Sequence, residues 1–149
     1  MPFVSITRLR LRSFVYIVPF FWYTFLSTKQ LVKHSAFLKG KTLLDKKLTF
    51  WTMTLWYNEA DMRAYRNTDA HRKAMPKLQY WCNEASIVHW QQESEDYPEW
   101  HEAYQRMLTE GRVSKVKHPS PNHLSIQISP PRYPSKTEQI LVPKKVHTH

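Results

Sequence analysis

From Phe3 to Leu11 the chain reads as a β-strand, because Arg8, Arg10 and Arg12 alternate with Leu9 and Leu11. That period of two sends the guanidinium groups to one side and the leucines to the other, the pattern of a solvated strand face. Phe14 to Leu26 is almost wholly apolar, and Pro19 within it suits the first turn of a helix predicted to run to about Phe37. Gly40 is expected to end that helix in a left-handed conformation, with Lys29, Lys33 and His34 near its negative pole. Lys41–Lys46 and Leu48–Tyr57 then read as a hairpin turning around Asp45–Lys47. The second of these strands is apolar or neutral on both faces, with Phe50, Thr52, Thr54 and Trp56 on one and Trp51, Met53, Leu55 and Tyr57 on the other. A strand of that kind is covered twice.

Asn58 can cap a helix over Glu59–Arg66, Thr68 a second from Asp69 to about Cys82 with a kink at Pro76, and Glu84–Gln91 reads as a fourth strand. Strand, helix, two strands, broken helix, strand predicts an α+β ferredoxin-like unit: an antiparallel four-stranded sheet with helices on one face. The other face needs a cover, and a second copy of the sheet is the simplest one, so a homodimer is expected. Beyond it, Pro98 opens a short helix with Trp100, Tyr104, Met107 and Leu108 on one stripe, stopped by Gly111. Residues 1–110 thus form one domain. Residues 111–149, with six of the ten prolines, read as a basic, proline-rich C-terminal arm, partly disordered or wrapped on a partner subunit.

The length of 149 residues supports one core, and the net charge of +10 is unevenly spread: +8 over residues 1–50, −4 over 51–110 and +6 over 111–149. The basic residues do not gather with interleaved aromatics on a helix or loop, which disfavours nucleic acid as a partner. The basic and apolar N-terminus resembles a secretory signal, but Pro19 interrupts it, no small-residue cleavage pattern follows, and it falls short of the roughly 18 residues that span a bilayer. Attachment at a membrane surface is the minority reading of that segment, and membrane is disfavoured as a partner. Only Gly40 and Gly111 are glycines, which excludes glycine-rich phosphate loops, and the lone Cys82 excludes an internal disulfide or a zinc site of paired cysteines. A cytoplasmic setting is expected. The closing His147-Thr148-His149 is too short for a metal site, and none is predicted.

His71, Met75, Leu78 and Cys82 share one helix face, so His71 is either a satisfied core histidine or an acid/base or ligand-binding group. Tyr23, Ser27, Gln30 and His34 form a polar stripe that faces water or lines a cavity wall. Trp22, Trp51, Trp56 and Tyr65 read as core or as walls for a large planar apolar ligand. Met75 packs or contacts a bound ring, and Arg63 and Arg66 are solvated or anchor a carboxylate.

The segments Phe50–Trp56, Asn58–Ala64, Ala70–Pro76, Trp81–Trp90 and Glu110–Pro121 resemble a family of mostly uncharacterised bacterial proteins related to spheroidene monooxygenase, in the dimeric α+β barrel superfamily with antibiotic-biosynthesis monooxygenases. The resemblance covers residues 3 to about 123. It implies a homodimer closed through the sheets, a ligand cavity between helices and sheet, and oxygenation of an apolar substrate, with haem as cofactor or none. Haem-degrading members of the superfamily use a histidine on the helix after the third strand; that position falls near Met75, and His71 lies one turn earlier. A cofactor-independent variant would have His71 abstract a proton before oxygen attack. A non-enzymatic protein that binds or senses a small molecule or haem in the same cavity is the alternative, so whether the chain is an enzyme stays open.

Overall fold

The computed structural model describes residues 1–67, 72–133 and 135–144, together with the backbone of residues 69–71. Thr68 and residues 145–149, with the closing His-Thr-His, lie outside the described residues, as does the side chain of His71.

Six antiparallel strands form one sheet in the order β5-β4-β1-β3-β2-β6: β1 Phe3–Leu11, β2 Phe37–Asp45, β3 Thr49–Trp56, β4 Cys82–Gln91, β5 Arg112–Val113 and β6 Gln139–Leu141. The inner four carry the expected ferredoxin-like topology, and the C-terminal arm adds a short strand at each edge. These additions pair backbone groups that an open edge would leave bare. Helices α1 (Ile17–Lys33), α2 (Glu59–Arg66) and α3 (Asp69–Trp81) cover one face; α4 (Trp100–Glu110) covers the other.

Local chemistry explains the boundaries. Pro19 lies in the first turn of α1, where its missing N–H has no intrahelical partner. The helix ends at Lys33 rather than Phe37, because His34 turns extended and its imidazole Nδ1 accepts the Ala36 N–H at 3.2 Å. Gly40 therefore lies in β2, and no glycine takes a positive φ. What requires glycine there is space: an added Cβ would sit 2.8 Å from the Met53 carbonyl oxygen of the adjacent strand. Gly111 follows α4 in an extended conformation, and a Cβ there would lie 2.2 Å from the Met107 carbonyl oxygen. The hairpin turns at Lys47 and Leu48, both left-handed. Asn58 caps α2 by accepting the Asp61 N–H at 2.9 Å, and Pro76 lies inside α3.

Two sequence expectations change on the α4 side. Arg8 is only 7% exposed, so the arginine alternation is not a solvated face. In α4 the buried stripe is Trp100, Ala103 and Met107, whereas Leu108 points out. That stripe packs on Trp51, Met53 and Leu55, with Ile126 and Ile128 of the arm beside it. The chain thus supplies its own cover for the surface that suggested a second sheet.

Candidate functional site

On the helical side, the alternation of β1, β3 and β4 lines up Ser5 with Thr54 and His89, and Thr7 with Thr52. This polar band separates two apolar clusters. One holds Phe3, Leu31, Phe37, Trp56, Met62 and Tyr65; the other holds Leu11, Phe20, Trp81 and Cys82, with Leu9 and Phe50 packed against it. Thr7, Thr52 and His89 stay half-exposed although their strands are interior to the sheet. The polar band thus runs as a floor between two partly aromatic clusters.

The wall around Trp56 is tightly built. Its indole N–H donates to Thr54 Oγ1 at 2.9 Å, and the Thr54 hydroxyl donates onward to the Ser5 carbonyl at 3.5 Å. Tyr65 lies over the indole at 5.3 Å between ring centroids, while Phe37 and His34 meet it edge-on at 5.6 and 5.5 Å. The Tyr65 hydroxyl donates to the Ser27 carbonyl at 3.0 Å, and burial raises its pKa, so it remains a phenol. A haem does not fit against Trp56, since Tyr65, tilted by 34°, already covers the indole face a porphyrin would take and Trp56 is almost wholly buried.

His89 is the titratable group of the floor. Its ring lies 5.3 Å from Phe3. Burial lowers its pKa first, and the cations of Arg112 and Arg66 lower it further against a smaller opposing effect of Glu59. The imidazole is thus held toward its neutral form at pH 7, the form that can accept a proton.

The structure brings together only some of the residues singled out by sequence. Trp56, Tyr65 and His34 share one wall. Tyr23 belongs to the other, 5.6 Å from Trp81, with its hydroxyl bonded by the Lys77 ammonium. The α1 polar stripe therefore meets α2 and α3 through Ser27 and Tyr23 rather than facing only water. Arg66 acts on His89, and Met75 is half-buried on α3. Arg63 is exposed and pairs with Glu59 in its own helix at 2.7 Å. Trp22 lies on the outside of α1, stacked on Phe25. Trp51 is on the opposite face of the sheet, edge-on to Trp100 at 6.4 Å, because neighbouring strand residues point to opposite sides.

Sequence reasoning missed His89, although its place two residues from Gln91 on a predicted strand put it in phase with the helical face. It also missed Glu84. On the α4 side, Arg8 Nη1 donates to Glu84 Oε1 at 2.7 Å, while Arg10 Nη1 and the Ser120 hydroxyl donate to Oε2 at 2.8 and 2.9 Å. Ser86, Asn122, His123 and Ile126 close over this cluster and leave a crevice too narrow for water. Ile126 is left-handed, a strained choice for a β-branched residue. The cluster fastens the arm to the sheet.

No protein-family model and no curated protein matches the chain. Solved structures do. SnoaB, a cofactor-independent oxygenase from Streptomyces nogalater, superposes with a TM-score of 0.54 at 10% identity over 66% of this chain and 98% of its own. An antibiotic biosynthesis monooxygenase does so with a TM-score of 0.56 at 12% identity over 62% and 99%. The Mycobacterium tuberculosis protein Rv0793 gives 0.58 at 6% identity over 65% and 100%. The tie to spheroidene monooxygenase rests on sequence resemblance alone. At such identities the likeness is one of architecture: the chain has the antiparallel α+β fold of antibiotic biosynthesis monooxygenase-like proteins.

Proposed function

We propose that this protein is a monooxygenase-like enzyme that takes a flat apolar molecule with a polar edge over the threonine band, between the Trp56 and Phe50 walls. The observation that carries the reading is a half-exposed His89 on a polar floor between aromatic clusters, where burial favours the neutral imidazole. The fold, shared with proteins named as oxygenases, supports it. His89 accepts the hydroxyl proton of an electron-rich phenol, and Arg66 balances the resulting phenolate. The ring carbon para to that oxygen, which bears one hydrogen, adds dioxygen; the peroxide takes back the proton, and loss of water together with that ring hydrogen leaves a quinone carbonyl. His71, the proton acceptor suggested by sequence, enters the same assay as a second variant.

The test is oxygen uptake with electron-rich phenols and quinols. His89→Gln should lower turnover by about 100-fold or more with an unchanged melting curve. The acid limb of kcat/KM should fall below the ordinary histidine value of about 6.5, since the imidazole must be neutral to act. Full activity in His89→Gln, or loss only in His71→Ala, overturns the assignment. The closed packing of Tyr65 on Trp56 favours a second reading, in which the same site holds a ligand without reaction. Saturable tryptophan quenching by a quinone with no oxygen consumed identifies that case.

A further inference from the structure

We infer that the outer face of α1 is a docking surface for anionic lipid. Phe14 and Val15 of the preceding 3-10 turn, then Val18, Phe21, Trp22 and Phe25, are each 46–80% exposed. From Phe14 their spacing of four, three and four keeps Val18, Phe21 and Phe25 on one face, with Trp22 beside them. The opposite side of α1 already serves the core through Phe20 and Leu31. Phe21 also turns edge-on to Phe50 of β3 at 5.5 Å, whereas Trp22 and Phe25 stack on each other outside the core, and a contiguous aromatic patch of this kind marks an interaction site.

The charges around the stripe select its occupant. Lys29 and Lys33 continue the same face over the next two turns, and the Lys29 ammonium lies 5.4 Å from the Phe25 ring. Among the described residues neither has a carboxylate partner. No residue before Asp45 is acidic. A second copy laid parallel on this face would set lysine against lysine, and one laid antiparallel would bring no carboxylate to them, since α1 has none. A phosphatidylserine surface instead offers headgroup anions to the lysines and acyl boundary to Phe and Trp, the arrangement of an interfacial helix. The geometry is that of a helix lying on the bilayer: α1 has 17 residues, and among the described residues no helix is long and apolar enough to cross a membrane.

The full chain should sediment with phosphatidylcholine vesicles containing about 30 mol% phosphatidylserine and release as salt rises. The exposed substitutions Trp22→Ser with Phe25→Ser should abolish this without changing the melting temperature. Lys29→Gln with Lys33→Gln should weaken it on the order of tenfold to thirtyfold, from about 1 kcal/mol per surface lysine. No sedimentation at low salt overturns the proposal. Binding that survives the aromatic substitutions also overturns it, because the net charge alone would then be responsible. A dimer in solution that Trp22→Ser converts to monomer identifies a second copy as the occupant and overturns the lipid assignment.

Discussion

Glu84→Gln exchanges a carboxylate for an amide of the same shape at the centre of the Arg8, Arg10 and Ser120 cluster. Glu84 is 4% exposed, and three donors converge on its two oxygens at 2.7–2.9 Å. The amide keeps one acceptor oxygen, but its NH₂ must face a guanidinium or the serine hydroxyl, and the buried guanidinium groups lose their counter-charge. Removing one partner of a buried ion pair costs about 3–5 kcal/mol. Arg10, whose side chain is 29% exposed, can rehydrate, which places the expected loss near the lower end. For a domain of this size, about 3 kcal/mol lowers Tm by about 6–12 °C. Urea unfolding followed by tryptophan fluorescence and circular dichroism measures the loss, and Arg8→Met in the Glu84→Gln background should recover much of it. The acid limb offers a second reading. Burial pushes the Glu84 pKa up, but hydrogen bonds from Arg8, Ser120 and Arg10, with the Arg8 charge, outweigh it and hold the carboxyl below its ordinary value. Its contribution is therefore complete above about pH 4.3, the ordinary glutamate value, and is lost as pH falls through the folded-state pKa. Glu84→Gln should lack that loss. A penalty below about 1 kcal/mol, typical of an exposed pair, would refute the account of a dry cluster.

Burial pushes the Cys82 thiol up to about 12, so the native protein should not react with Ellman's reagent at pH 8 and should react fully in denaturant; rapid native labelling would contradict the packing. Gly40→Ala should cost about 1–3 kcal/mol, since its Cβ meets the Met53 backbone at 2.8 Å, and an unchanged urea midpoint would show that β2 and β3 separate freely. Tyr65→Phe removes the bond to Ser27 and should cost about 1 kcal/mol, whereas Tyr65→Ala unroofs Trp56 and should cost about 3–5 kcal/mol. Equal losses for the two would place the energy in the hydroxyl rather than the ring.

Local signals carried the fold far. The two-sided apolar run of β3, the Asn58 cap and the place of Pro19 were legible because each rests on residues adjacent in sequence. Long-range pairing was not. Arg8 and Glu84 are 76 residues apart, and only the β1–β4 register sets them together; alone, an arginine alternating with leucine looks solvated. His89 was hidden similarly, since its burial and the Arg112 and Arg66 cations beside it come from separate elements. Trp51 and Trp56 differ by an odd number of positions on one strand, so the sequence already placed them on opposite faces; joining them in one pocket ignored that parity.

The same parity bears on assembly. Trp51 needs cover on the face away from α1, and composition alone cannot distinguish a partner sheet from a later segment of the same chain. Here α4 places Trp100 edge-on to Trp51, and the Trp100 indole N–H donates to Glu138 of the arm at 2.7 Å. Glu138 also lies 4.0 Å from the Lys41 ammonium on β2. Helix, arm and sheet are thus joined around one buried tryptophan pair. A second sheet could meet Trp51 directly only by displacing α4 and breaking these contacts. In this structure the face that a partner sheet would need is taken by α4 and the arm.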